Sequence, residues 1–139
     1  MSPSRQTSQD VSGSEDRPSA SYVIKWRARV PLDDWQRATV EMALRDAWRY
    51  MSLSTCTVTV HWRSYADKLE DAMGFYELTN ESITIAWENI QYCGYSQYTQ
   101  EACLYETAAH EGVHRAQHAM LLHAWPILKN DSATDTYCE

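Results

Sequence analysis

The chain has 139 residues, enough for one hydrophobic core and too few for two ordinary domains, and 12 Lys and Arg against 19 Asp and Glu give a formal net charge of −7. No broad basic surface is available to neutralise phosphates or anionic headgroups, which argues against nucleic acid and membrane as partners. Hydrophobic residues make up 44% of the chain, with six Trp and nine Tyr against one Phe, so the core is expected to be rich in rings that carry a polar handle.

Ser, Gln, Asp, Gly and Pro dominate the first stretch, MSPSRQTSQDVSGSEDRPSAS, which reads as a disordered tail over residues 1–21 because it buries too little apolar area to offset the entropy of ordering. The folded domain is expected over residues 22–139. The stretch has no apolar run behind a basic end, so neither a secretory signal nor a membrane anchor is visible, and a cytoplasmic location is the expectation. Four cysteines, Cys56, Cys93, Cys103 and Cys138, lack CxxC spacing and are too few for a disulfide scaffold. Free thiols are expected, with a Cys93–Cys103 bridge left open.

A short apolar stretch at residues 22–30 precedes Pro31 and Asp33, after which Trp35, Ala38, Met42 and Ala43 recur at helical spacing and predict a first helix. Residues 56–62 alternate and are β-branched, predicting a strand with Val58, Val60 and Trp62 on one face. Residues 73–78 and 82–87 read as two more strands joined by Thr79, Asn80 and Glu81 in a hairpin. The Tyr-rich segment 91–99, with Gly94, reads as a surface loop before a long helix from about Thr99 to Ala124. Pro126 is expected to separate that helix from a short terminal one. The order of elements predicts an α+β domain: N-terminal helix, small mixed β-sheet with a hairpin, long helix, short C-terminal helix.

The long helix carries His110-Glu111-Gly112-Val113-His114, an HExxH string. Two imidazoles four residues apart lie about 40° apart around a helix and one turn along it, so both Nε2 atoms are able to meet one cation at about 2.0–2.1 Å, the Zn–N distance. Zinc lowers the pKa of a bound water toward about 7, and the neighbouring carboxylate of Glu111 is placed to take its proton during attack on a carbonyl. At this content of His and Glu, chance yields roughly 0.013 such strings per chain, which makes coincidence improbable and favours a metal site over the plain alternative of a helix carrying two structural histidines. Ala102, Tyr105, Ala109, Val113, Ala116 and Met120 form a separate apolar stripe, which predicts that the histidines border the core.

Over about its last hundred residues the chain resembles the small zincin metallopeptidases: an amphipathic helix, a strand, a GxY hairpin (Gly74-Phe75-Tyr76), then the HExxH helix. The resemblance implies a zincin-like fold of the gluzincin type, a Zn2+ cofactor held by His110 and His114, Glu111 as general base, and a protein or peptide substrate. It also implies that the strand before the active-site helix, residues 82–87 here, lies at the sheet edge and pairs with extended substrate. His118 invites a three-histidine reading of HEGVHRAQH, but on an unbroken helix His110 and His118 are about 12 Å apart, which leaves no tetrahedral arrangement. Glu106 fails by the same argument. Gluzincins take a third ligand from a later ExxxD helix, and Asp131 and Asp135 occupy those positions with Asp in place of Glu. Asp131 is therefore the candidate ligand, with Asp135, Glu139 and His118 as alternatives and helix capping by these acids as the plain one. Rival functions are a catalytically inactive zincin-fold binding protein and a zinc amidase acting on a non-protein substrate.

Overall fold

A computed structural model of the chain describes residues 20–65, 72–93 and 96–128. The tail expected at 1–21 lies outside them up to residue 19, as do residues 129–139 of the short terminal helix expected after Pro126, with Asp131, Asp135 and Glu139. Among the described residues the order is β1 (Ser21–Ala28), α1 (Asp34–Tyr50), β2 (Thr55–Arg63), β3 (Gly74–Glu77), β4 (Ser82–Ala86), α2 (Trp87–Cys93) and α3 (Gln97–Leu128). The architecture is α+β with a four-stranded mixed sheet.

The strands lie in the order β1-β2-β4-β3, with β1–β2 and β2–β4 parallel and β3–β4 antiparallel. The apolar stretch at residues 22–30 is thus a strand, so α1 is a crossover helix between parallel strands rather than the first element. Tyr22, Ile24 and Trp26 turn toward the core while Lys25 and Arg27 turn away, the alternation of a half-covered edge. The hairpin forms as expected, but β4 returns between β2 and β3. Its five residues are all buried, and the sheet edge is β3, not residues 82–87.

The helices cover one face of the sheet. On β2, Cys56, Val58, Val60 and Trp62 point into the core and meet Val40, Leu44 and Trp48 of α1 and Leu104, Ala108 and Ala116 of α3. Each fully buried large apolar side chain contributes about 1.5–3 kcal/mol. The buried stripe of α3 runs through Leu104, Ala108, Gly112 and Ala116; of the expected stripe, Tyr105, Ala109 and Val113 are partly buried against the core beside Ala116, while Ala102 and Met120 are exposed. Small residues occupy this stripe because α1 comes close. A Cβ at Gly112 would stand 3.0 Å from Leu44 Cδ2 and 3.2 Å from Ala47 Cβ. The Trp48 indole N–H donates to the Gly112 carbonyl at 3.1 Å in the same buried seam. Gly112→Leu is expected to destabilise the fold by about 2 kcal/mol through overpacking, a fall in Tm of roughly 10 °C readable by calorimetry, with Gly112→Ala far milder.

Two further differences have local causes. Residues 87–93 form α2, where the sequence predicts Trp87 to end a strand and residues 91–93 to begin a loop; it is a helix too short to persist alone, held by burial of Trp87 and Ile90 and by a Cys93–Cys103 disulfide to α3. The expectation of free thiols fails there, whereas Cys56 is free and buried. Helix α3 continues to Leu128, past Pro126, instead of ending before it. No helix among the described residues is long and apolar enough to cross a membrane.

Candidate metal and hydrolytic site

Helix α3 presents the HExxH string as one unbroken turn. The Nε2 atoms of His110 and His114 converge to 3.1 Å, their rings nearly perpendicular with centroids 4.6 Å apart. The two rings share a hydrogen bond at this distance, and two nitrogens bound tetrahedrally to one zinc at about 2.0–2.1 Å would be roughly 3.3 Å apart, a similar spacing. Both rings are exposed rather than set against the core. Glu111, between them in sequence, is 6% exposed. Burial pushes its carboxyl above the usual carboxylate range, and the His110 and His114 imidazoles pull it back.

Glu111 and His114 line a cleft of about 530 Å³ between α3 and the edge strand, walled by Gly74, Phe75 and Tyr76 on one side and Glu111, His114 and His118 on the other. Gly74 lets the strand approach the helix. A Cβ there would meet Thr107 Cγ2 and the Thr84 carbonyl at 2.9 Å and Glu111 Cγ at 3.6 Å, so any side chain would lever β3 away from the carboxylate. Leu78 and Leu121 make one end of the cleft apolar.

His118 is not aimed at the histidine pair. Its Nδ1 shares a 2.7 Å hydrogen bond with the Tyr76 hydroxyl, and its ring packs edge-on against Tyr76 at 5.7 Å. The α-helix continues through it without a break, consistent with a place in the cleft wall. Burial raises the Tyr76 pKa, against a lowering by Arg115, so the hydroxyl keeps its proton.

Arg115 is a positioning residue that composition and spacing do not mark, since a charged residue after the second histidine reads as solvated. It is 7% exposed. Its Nε donates to the Thr57 carbonyl of β2 at 2.9 Å and its Nη2 lies 3.6 Å from Glu81, whose φ of 53° turns the hairpin. The guanidinium thus ties α3 to the sheet and to the loop that carries β3. The only sequence hint is that position 115 falls beside the buried stripe.

Among the described residues no group of three or more His, Cys, Asp or Glu side chains converges as a metal site. They bring together two imidazoles and a buried carboxyl, where an open catalytic zinc site takes three protein ligands. Asp131, Asp135 and Glu139, the candidates for the third, lie outside the described residues. Compared with protein-family models, with curated proteins and with solved structures, the chain matches none.

Proposed function

We propose that the protein is a zinc-dependent metallopeptidase in which His110 and His114, with Asp131, hold the metal and Glu111 is the general base. The observation that carries this reading is the 3.1 Å convergence of two exposed Nε2 atoms beside a carboxyl buried at the wall of a cleft. A purely structural zinc site needs four ligands and no base, so Glu111 favours catalysis over a binding role. Zinc, when bound, supplies Lewis-acid polarisation of a carbonyl and a water of lowered pKa.

The chain's own residues do the rest. Glu111 accepts the proton of the attacking water and is held by the helix within reach of both imidazoles. The substrate role of the edge passes from residues 82–87 to β3, whose outer side carries no strand among the described residues and is free to pair with an extended peptide. Tyr76, with its hydroxyl oxygen accepting the His118 Nδ1–H, has its own proton to donate to the carbonyl oxygen as charge develops there. Leu78 and Leu121 receive an apolar substrate side chain. The cleft volume is in the range that holds a few residues of peptide.

The test is metal analysis of the purified chain with a peptide-hydrolysis assay. About one zinc per chain and cleavage abolished by chelation and restored by zinc are expected. Stoichiometric zinc in the His110→Ala, His114→Ala double variant would overturn the assignment.

A further inference from the structure

The net charge of −7 hides one positive region. On β1, Tyr22, Ile24 and Trp26 turn toward the core, so Lys25 and Arg27 stand on the outer face of the sheet. Arg29 follows directly after the strand, its N–H donating to the Trp62 carbonyl at 2.9 Å. The register sets Lys25 beside Thr59 and Arg27 beside His61 of β2. Burial, with the Arg63, Arg27 and Arg29 guanidiniums, pushes the His61 imidazole below its usual range against a smaller pull from Glu77, as a positive local field requires.

These cations differ from the rest. Arg37 and Arg45 pair with Glu41, Arg49 with Asp46 and Arg115 with Glu81, whereas Lys25, Arg27 and Arg29 meet no carboxylate among the described residues. Their strand is also an edge: the order β1-β2-β4-β3 leaves the outer side of β1 without a neighbour among the described residues. Its outward backbone N–H and C=O groups are therefore able to bond an added strand.

Charge decides what that strand is. A second copy of β1 would set cation against cation across the new pair, which is how charged edges block self-association. Nucleic acid would bring phosphates but find no stacking surface, because the Tyr22 and Trp26 rings face inward. Alternate residues of a strand share a face and stand about 6.6 Å apart. Acidic residues at every second position of an extended peptide thus fall opposite Lys25 and Arg27, and those between fall beside Ile24 and Trp26 at the margin of the core. At the other edge of the sheet β3 presents Glu77, which repels such a peptide. We infer that the free edge of β1 binds, by strand addition, an extended peptide whose alternate residues are acidic, independently of the histidine site.

The experiment follows the fluorescence anisotropy of a labelled nonapeptide of alternating Glu and Val titrated with the full chain at low ionic strength. Chelator is present throughout, so the result is separate from the zinc assignment. Saturable binding with a Kd of about 0.1 mM or tighter is expected, weakened by salt. In the 15N-labelled chain the peptide should shift the amide signals of residues 21–28 and leave those of residues 74–77 in place. Lys25→Gln combined with Arg27→Gln, at exposed positions, should weaken binding at least ~10-fold with Tm unchanged, and Arg27→Lys should retain it. An isomer with its Glu and Val in separate blocks should bind at least ~10-fold more weakly, since its charges fall on both faces of the strand. A peptide that does not bind would overturn the inference, as would equal binding by the block isomer or the double variant. So would shifts at residues 74–77 instead of 21–28, or an oligothymidylate or phosphatidylserine vesicle that binds where the peptide does not.

Discussion

Glu111→Gln is expected to lower peptide hydrolysis by about 10²–10⁴-fold while zinc remains bound at parent stoichiometry. The amide has the shape of the carboxyl and keeps its hydrogen-bonding reach, but it does not accept the water's proton. Fold damage is not the expected cause of such a loss. Glu111 is buried and its charged form is disfavoured there, so a neutral side chain of the same volume removes a desolvation cost and should leave Tm unchanged or raise it. Measured together, kcat/KM, zinc content and Tm separate the three roles the residue is able to have. Unchanged hydrolysis would remove Glu111 as the base. Loss of zinc together with activity would make it a ligand, and a lower Tm would make it structural.

Much of this site was legible because it is local. Four residues of helix set the two imidazoles and the carboxylate between them, and no tertiary contact is needed to bring them together. The same holds for β2, whose even-numbered residues from Cys56 to Trp62 are apolar and prove buried, and for the hairpin, whose turn residues 79–81 are polar. What resisted reading is non-local. The alternation at Tyr22, Ile24 and Trp26 is blurred by Val23 on the outer face, and its partner strand lies more than thirty positions away across α1. Which hairpin strand takes the edge is a matter of sheet order, and period-2 patterning is the same for both arrangements. On α3, Tyr105, Ala109, Val113 and Ala116 of the expected stripe do pack on the core, but its most deeply buried line was missed because Gly112 looks like a weakness in a helix until Leu44 and Trp48 of α1 are found against it. Arg115 and α2 also depend on distant partners, Thr57 and Glu81 for the one and Cys103 for the other.

The second large effect concerns which residue completes the metal site. Asp131→Ala, or truncation after Lys129, is expected to weaken zinc binding by on the order of 10²–10³-fold, because two imidazoles alone leave the cation half coordinated. His118→Ala should cost less than about 10-fold, in the range of an outer contact. The argument for the contrast is geometric. Helix α3 runs without interruption through His110, His114 and His118, so the third ring is displaced about 12 Å along the axis from the first. Its Nδ1 is moreover already engaged by the Tyr76 hydroxyl at 2.7 Å. Hydrolysis, unlike affinity, should fall in His118→Ala, since the Tyr76 hydroxyl loses its anchor. Asp131→Glu restores the longer carboxylate usual in gluzincins and should retain measurable zinc where Asp131→Ala does not. Competition titration against a chelator reads all four variants on one scale. Zinc stripped by His118→Ala but retained by Asp131→Ala would mean that the helix opens after His114 when metal binds, and the ligand set would become three histidines. Zinc retained by both, yet lost on truncation, would move the ligand to Asp135 or Glu139.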